Sequence, residues 1–141
     1  MTTSPCNSAA LEGGCQCRAV RFRLPAPPLL TVLCHCRSCR RAHSAPAVAW
    51  ALYAQGDVEF SGEAPQVYES SPGARRSFCP RCGSRIGFEA DYIPGLIDIA
   101  IGSLDEPARL PPQMHIWDEE RLPWLQLADE LPRHAAFPPM A

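Results

Sequence analysis

The chain has 141 residues, the length of a single domain, with a formal net charge of −2 and 16 prolines. The near-neutral balance gives no global attraction to nucleic acid, so no nucleic-acid partner is expected. No run of about 18 apolar residues occurs, which excludes a membrane-spanning helix, and the prolines interrupt any long regular element.

In chain order, residues 1–12 read as a flexible leader, residues 13–132 as the domain and residues 133–141 as a C-terminal tail. Val20, Phe22 and Leu24 alternate with polar residues and predict a strand. Pro25, Pro27 and Pro28 force a turn, and Leu29 to Leu33 is a short apolar run leading into a cysteine cluster. Residues 37–43 (RSCRRAH) allow at most a short helical turn before Pro46, and Ala47 to Tyr53 predicts a strand. Val58–Phe60 and Gln66–Glu69 predict short strands around a turn at Gly62–Pro65. Arg76–Cys79 and Arg85–Glu89 flank a CPRCG turn as a hairpin, and the β-branched run Leu96–Ile101 predicts a central strand. Beyond Gly102, closely spaced prolines and the anchors Ile116, Trp117, Trp124 and Leu125 predict an extended arm packed on the sheet. The expected class is mostly β, with small irregular sheets in a single domain.

Eight cysteines in such a chain need a chemical account, and the choice lies between disulfides and metal. The start MTTSPCNSAALEGG carries no basic stretch and no apolar run, so no secretory signal is visible. The expected location is the cytoplasm, where thiols stay reduced, and that favours metal. All 13 basic residues are arginine, so Schiff-base chemistry on a lysine is excluded.

Cys79-Pro-Arg-Cys82-Gly83 is a knuckle that grips one zinc from a tight turn, with Gly83 placed where positive φ is often needed. No βαβ pattern surrounds it, which argues against a redox pair. The knuckle needs two further ligands. Cys36-Arg-Ser-Cys39 would complete a zinc ribbon. Cys15-Gln-Cys17 would do so from a strand, where residues two apart face the same side. Counting favours the second pairing. It leaves Cys34, Cys36 and Cys39, three cysteines within six residues, as one further site, with only Cys6 over. Two zincs per chain are therefore expected: one closed by Cys15, Cys17, Cys79 and Cys82, the other held by Cys34, Cys36 and Cys39. Three protein ligands with an open fourth position are the pattern of a catalytic zinc. Cys6, His35, His43 and His115 are the residues that could close it instead. The spacing matches neither common ferredoxin pattern.

Gly14-Cys15-Gln-Cys17, Cys34-His35-Cys36-Arg-Ser-Cys39-Arg-Arg, Phe78-Cys79-Pro-Arg-Cys82-Gly83-Ser84, His115-Ile-Trp117 and Pro123-Trp124 follow one another in the order of a known family. From about Gly13 to Pro132 the chain resembles the glutathione-dependent formaldehyde-activating enzymes, a family that includes the centromere protein V domain. The resemblance implies zinc-stabilised small sheets of the β-tent type. It also implies a structural zinc on Cys15, Cys17, Cys79 and Cys82 and a catalytic zinc on Cys34, Cys36 and Cys39. The implied activity is addition of the glutathione thiol to formaldehyde, formally a carbon–sulfur lyase reaction in reverse. Arg18 stands where the family commonly has glycine.

A zinc held by three thiolates suits a fourth thiol, which it keeps as thiolate for attack on an aldehyde. Arg37, Arg40 and Arg41 beside the ligands could pair with the carboxylates of a glutathione-like substrate, and His43 could shuttle a proton. The leading expectation is a zinc-dependent lyase acting on thiol–aldehyde adducts, with a small thiol as its partner. The alternative is a binding module in which both zincs are structural. A third reading is a sensor that loses zinc on oxidation.

Overall fold

A computed structural model describes residues 10–139. Cys6 and most of the 1–12 segment lie outside the described residues. Ten strands form two sheets: β1 (Leu11–Gly14), β2 (Val20–Leu24), β3 (Leu30–Cys34), β4 (Val48–Ala54), β5 (Glu59–Gly62), β6 (Gln66–Ser71), β7 (Ala74–Phe78), β8 (Arg85–Ala90), β9 (Leu96–Ala100) and β10 (His115–Ile116). The small sheet has the order β1-β2-β5 and the large one β10-β3-β4-β9-β8-β7-β6. All pairings are antiparallel except β10 with β3. The class is mostly β, as expected, and β9 is a central strand between β4 and β8.

Strand alternation gives the large sheet two different faces. One face, carrying Ala51, Tyr53, Ile97 and Ile99, packs against Leu11, Val20, Phe22 and Leu24 of the small sheet in the main core. Fully burying a side chain such as Phe22 or Ile99 contributes about 1.5–3 kcal/mol. The opposite face carries Val32, Cys34, Val48, Trp50, Ala100 and Ile116 in a second, smaller core. Along this face the register aligns Leu30, Leu52, Asp98, Phe88, Arg76 and Tyr68 in one row across β3, β4, β9, β8, β7 and β6. The row starts apolar and ends polar, and two of its members carry charge.

One helix, α1 (Arg37–His43), follows β3 directly. Its N-cap is Cys36, whose sulfur accepts the Cys39 N–H, and Glu120 Oε1 accepts the Arg37 N–H at 2.7 Å. A carboxylate therefore sits at the positive end of the helix, while Arg40, Arg41 and His43 occupy its last turn. Ser44 ends it at φ 50°. The RSCRRAH segment thus forms two turns rather than one. Capping at both ends and the burial of Cys39 offset its short length.

The arm after Gly102 is bound at several points. Leu33 donates to the Met114 carbonyl, His35 to that of Ile116, and His134 to that of His115. The Cys34 end of β3 is thereby enclosed by residues more than 80 positions later.

Candidate metal centres and active site

The CPRCG turn bends because Gly83 takes φ 80° and returns its N–H to the Cys79 carbonyl at 2.9 Å. Across from it, Cys15 and Cys17 leave the end of β1, and Arg18 turns the chain at φ 70°. The four sulfurs of Cys15, Cys17, Cys79 and Cys82 lie within 4.8 Å of one another. Two of the separations are 3.6 Å (Cys15–Cys17) and 3.8 Å (Cys17–Cys79). A disulfide would need about 2.0 Å. A tetrahedron of sulfurs at about 2.3 Å from a central zinc has edges of ~3.8 Å. Backbone N–H groups point at the sulfurs: Val20 at Cys15 (3.2 Å) and Arg81 at Cys79 (3.3 Å). Such donors suit thiolates. The Ser84 hydroxyl lies 3.1 Å from the Cys82 sulfur, and that contact with local backbone N–H groups pulls the Cys82 thiol down to about 5. The donor set and its spacing fit a four-thiolate metal site.

The second cluster is built from the end of β3 and the start of α1. Cys34 is the last residue of β3, paired with Val48 on one side and Ile116 on the other. Cys36 caps the helix, and Cys39 lies one turn in. Their three sulfurs also lie within 4.8 Å of one another. Hydrogen bonds from Cys34 and Cys39 pull the Cys36 thiol down to about 2, while the same contacts with Cys36 and Cys39 push the Cys34 thiol up. One thiolate is favoured at its neighbours' expense, so a cation is needed for all three to ionise together. The convergence of three sulfurs from the end of β3 and the start of α1 is the fit to a metal.

Among the described residues no fourth side chain joins this cluster. His35, between two of the cysteines, is fully buried and points away. Its Nε2 meets His115 Nδ1 at 2.8 Å, and His115 Nε2 meets the Asp129 carboxylate at 3.0 Å. His43 packs edge-on to Trp50, with ring centroids 5.1 Å apart. Burial, then the nearby Arg76, pull the His43 imidazole down to about 4.

Cys34, Cys36 and Cys39 open onto a cavity of about 660 Å³ walled by Leu30, Val32, Trp50, Phe88, Ile116 and Trp117. Arg37 and Arg41 also line it. Arg40 and His43 are not among its lining residues, and Arg40 Nε instead donates to the His35 carbonyl at 3.2 Å.

Three charged residues of the cavity, Arg76, Asp98 and Glu120, lie outside the site expected from the sequence. Arg76 is 4% exposed, lies over the Phe88 ring at 4.7 Å, and directs Nη2 to Ser38 Oγ (2.9 Å) and to the Cys39 sulfur (3.9 Å). No carboxylate pairs with it among the described residues. Asp98 lines the same cavity, and burial pushes its carboxyl up to about 7. Asp98 interrupts the apolar run of β9, and Arg76 shares a strand face with Ala74 and Phe78.

The family profile described as "Glutathione-dependent formaldehyde-activating enzyme" matches residues 10–120. A protein of Halomonas elongata whose name carries the same description is 30% identical over 129 residues, covering 83% of this chain and 80% of the relative. An uncharacterized lyase of Schizosaccharomyces pombe is 32% identical over 77 residues, 55% of this chain and 56% of the relative. A crystal structure of a Rhodobacter sphaeroides protein superposes with a TM-score of 0.56 at 22% identity, covering 67% of this chain and 87% of that one, and so shares the fold. The profile match spans most of the chain, including both cysteine clusters, and the chain belongs to the glutathione-dependent formaldehyde-activating enzyme family.

Proposed function

We propose that this protein is a zinc-dependent carbon–sulfur lyase that joins a small thiol such as glutathione to an aldehyde of the formaldehyde class. The observation that carries the reading is the contrast between the two clusters. Four sulfurs complete one cluster among themselves, and only Cys15 of the four lines the neighbouring cavity of about 730 Å³, whereas three converge at the wall of a cavity that all three line, with no fourth side chain among the described residues. On this reading, Cys15, Cys17, Cys79 and Cys82 hold a structural zinc, and Cys34, Cys36 and Cys39 hold a catalytic one within a domain spanning residues 13–132. A zinc bound there supplies a cation that takes a fourth soft ligand and keeps its sulfur ionised.

The chain's own residues do the rest. Arg76 places a buried positive charge against Cys39, which offsets the negative charge of a thiolate cluster that gains a fourth sulfur. Arg37 and Arg41 supply guanidinium groups on the cavity wall for a substrate carboxylate, favouring an anionic thiol over a neutral one. Trp50, Phe88 and Trp117 exclude water from the reacting sulfur. Reduced thiols are required throughout, and a reducing compartment such as the cytoplasm suits this reading.

The test is thiol binding followed by calorimetry. Glutathione should bind the zinc-loaded protein, S-methylglutathione should not compete, and Cys39→Ser should abolish binding while the protein stays folded. Equal binding of the S-methylated compound would overturn the reading and leave the domain as a binding module with two structural zincs.

A further inference from the structure

The lyase reading leaves one proton without a carrier. A thiol loses its S–H proton when its sulfur is held as thiolate, and the aldehyde oxygen needs a proton when the carbon–sulfur bond forms. His43 is edge-on to Trp50 and is not among the cavity's lining residues. Two carboxylates line the cavity with the cysteines: Glu120 and Asp98. Glu120 is engaged, accepting the Arg37 N–H at the start of α1.

Asp98 differs from Glu120 in every respect that matters to proton transfer. It sits on the central strand β9, in register with Leu52 on one side and Phe88 on the other, so its carboxyl group rises from the cavity floor between two apolar neighbours. No hydrogen bond or ion pair engages it among the described residues, yet neither of its oxygens is sealed from the cavity. β4 presents no charge toward it, through Leu52 and Trp50, and β8 presents Phe88. The ionisable groups that face it are Arg76 of β7, beyond the Phe88 ring, and the Tyr92 hydroxyl from the turn after β8. Arg76 is drawn toward Ser38 and Cys39 and does not close a salt bridge with Asp98. A carboxyl group without a partner in an apolar cavity that it shares with three thiols is placed to take and return a proton.

We propose that Asp98 is the catalytic acid–base of this site, carrying the thiol proton to the aldehyde oxygen. The assignment rests on the lyase reading above. The S–H proton passes to an Asp98 carboxylate oxygen, leaving the sulfur with its electron pair. That pair forms the carbon–sulfur bond to the aldehyde carbon as the C=O π pair moves onto oxygen. Asp98 then gives its proton to that oxygen, completing the hemithioacetal and becoming a carboxylate again. Nothing is oxidised or reduced, and no proton is exchanged with solvent over the cycle. A carboxyl group whose burial holds it close to neutrality can act in both directions.

Proton counting on glutathione binding tests this without turnover. Calorimetry of the zinc-loaded protein in two buffers of different ionisation enthalpy gives the number of protons released. At about pH 8 wild type should release almost none, because Asp98 keeps the proton, whereas Asp98→Asn should release about one. At about pH 6, where Asp98 is already protonated, both should release about one. At about pH 6, where both side chains are neutral, Asp98→Asn should bind glutathione within about twofold of wild type, yet it should form the formaldehyde adduct about 100-fold more slowly, with Asp98→Glu partly restoring the rate. Infrared difference spectra need no variant: adding glutathione to wild type at about pH 8 should raise the band of a protonated carboxylic acid. Equal proton release by wild type and Asp98→Asn at the higher pH, no such band, or an undiminished rate in Asp98→Asn would each overturn the assignment of Asp98. Failure of wild type to bind glutathione through sulfur is a different result, and it would instead overturn the lyase reading.

Discussion

His35 Nε2 and His115 Nδ1 lie 2.8 Å apart, joining residues 80 positions distant inside a fully buried contact. Asp129 accepts from His115 Nε2, so His115 is left with an acceptor at Nδ1, and His35 donates to it from Nε2. The chain Asp129–His115–His35 therefore fixes the peptide between Cys34 and Cys36 from behind. It also shows why His35, flanked by two candidate ligands, is not one itself. Replacing His115 with alanine leaves the His35 N–H buried and unpaired and opens a cavity. The expected cost is about 3 kcal/mol in denaturant unfolding of the zinc-loaded protein, with weaker zinc retention at Cys34, Cys36 and Cys39.

The two clusters should respond differently to loss of a ligand. Cys82→Ser should leave the protein unfolded or insoluble, because the four-sulfur site ties the end of β1 to a turn more than 60 residues later and metal-binding energy there is folding energy. Cys36→Ser should stay folded and keep one zinc per chain. Metal content by mass spectrometry and far-ultraviolet circular dichroism check both. A soluble, cooperatively folding Cys82→Ser protein would contradict the structural assignment.

Arg18 is exposed and holds φ 70°, a left-handed conformation that costs a residue with a side chain about 1–2 kcal/mol. Glycine is free of that strain. Arg18→Gly should therefore stabilise the protein by about 0.5–1 kcal/mol in chemical denaturation, after allowance for glycine's greater freedom in the unfolded chain.

His43 predicts a pH effect of definite sign. Its folded-state value, near 4, lies below the ordinary 6.5, so below pH 6.5 the unfolded chain binds a proton that the folded protein does not. Stability attributable to this residue is thus present above pH 6.5 and is lost as pH falls toward 4, by at most about 1.4 kcal/mol per pH unit. The stability difference between wild type and His43→Leu, measured in parallel unfolding curves, should shrink or reverse over that range. A difference that does not change with pH would contradict the buried, neutral state of this imidazole.

The sequence made the two clusters legible because thiolate ligands at short spacing are a local signal, and β2, β8 and β9 because alternation, a flanking turn and a β-branched run are local too. What it hid depends on pairing between distant strands. LEGG has little strand character, so the expected leader takes in its first two residues, Leu11 and Glu12, yet Leu11 is buried against the main core once β2 pairs with it. The 2-residue β10 exists only through its parallel contact with β3. Arg76 and Asp98 are the middle residues of their own strands, and a lone charge in a strand does not by itself announce a cavity. Their common row appears only when β7, β8 and β9 are set in register. The arginines nearest the cysteines in sequence were conspicuous for the opposite reason, and only Arg37 and Arg41 of those three line the cavity.

The central claim is that the second cluster holds a zinc with a free position for a thiol. Zinc K-edge absorption on the fully loaded protein counts sulfur neighbours directly. Four sulfurs at one site and three at the other predict an average of about 3.5 per zinc, rising to about 4 when glutathione is added and staying near 3.5 with S-methylglutathione. An average already at 4 before any thiol is added, or one that does not rise on addition, would contradict it.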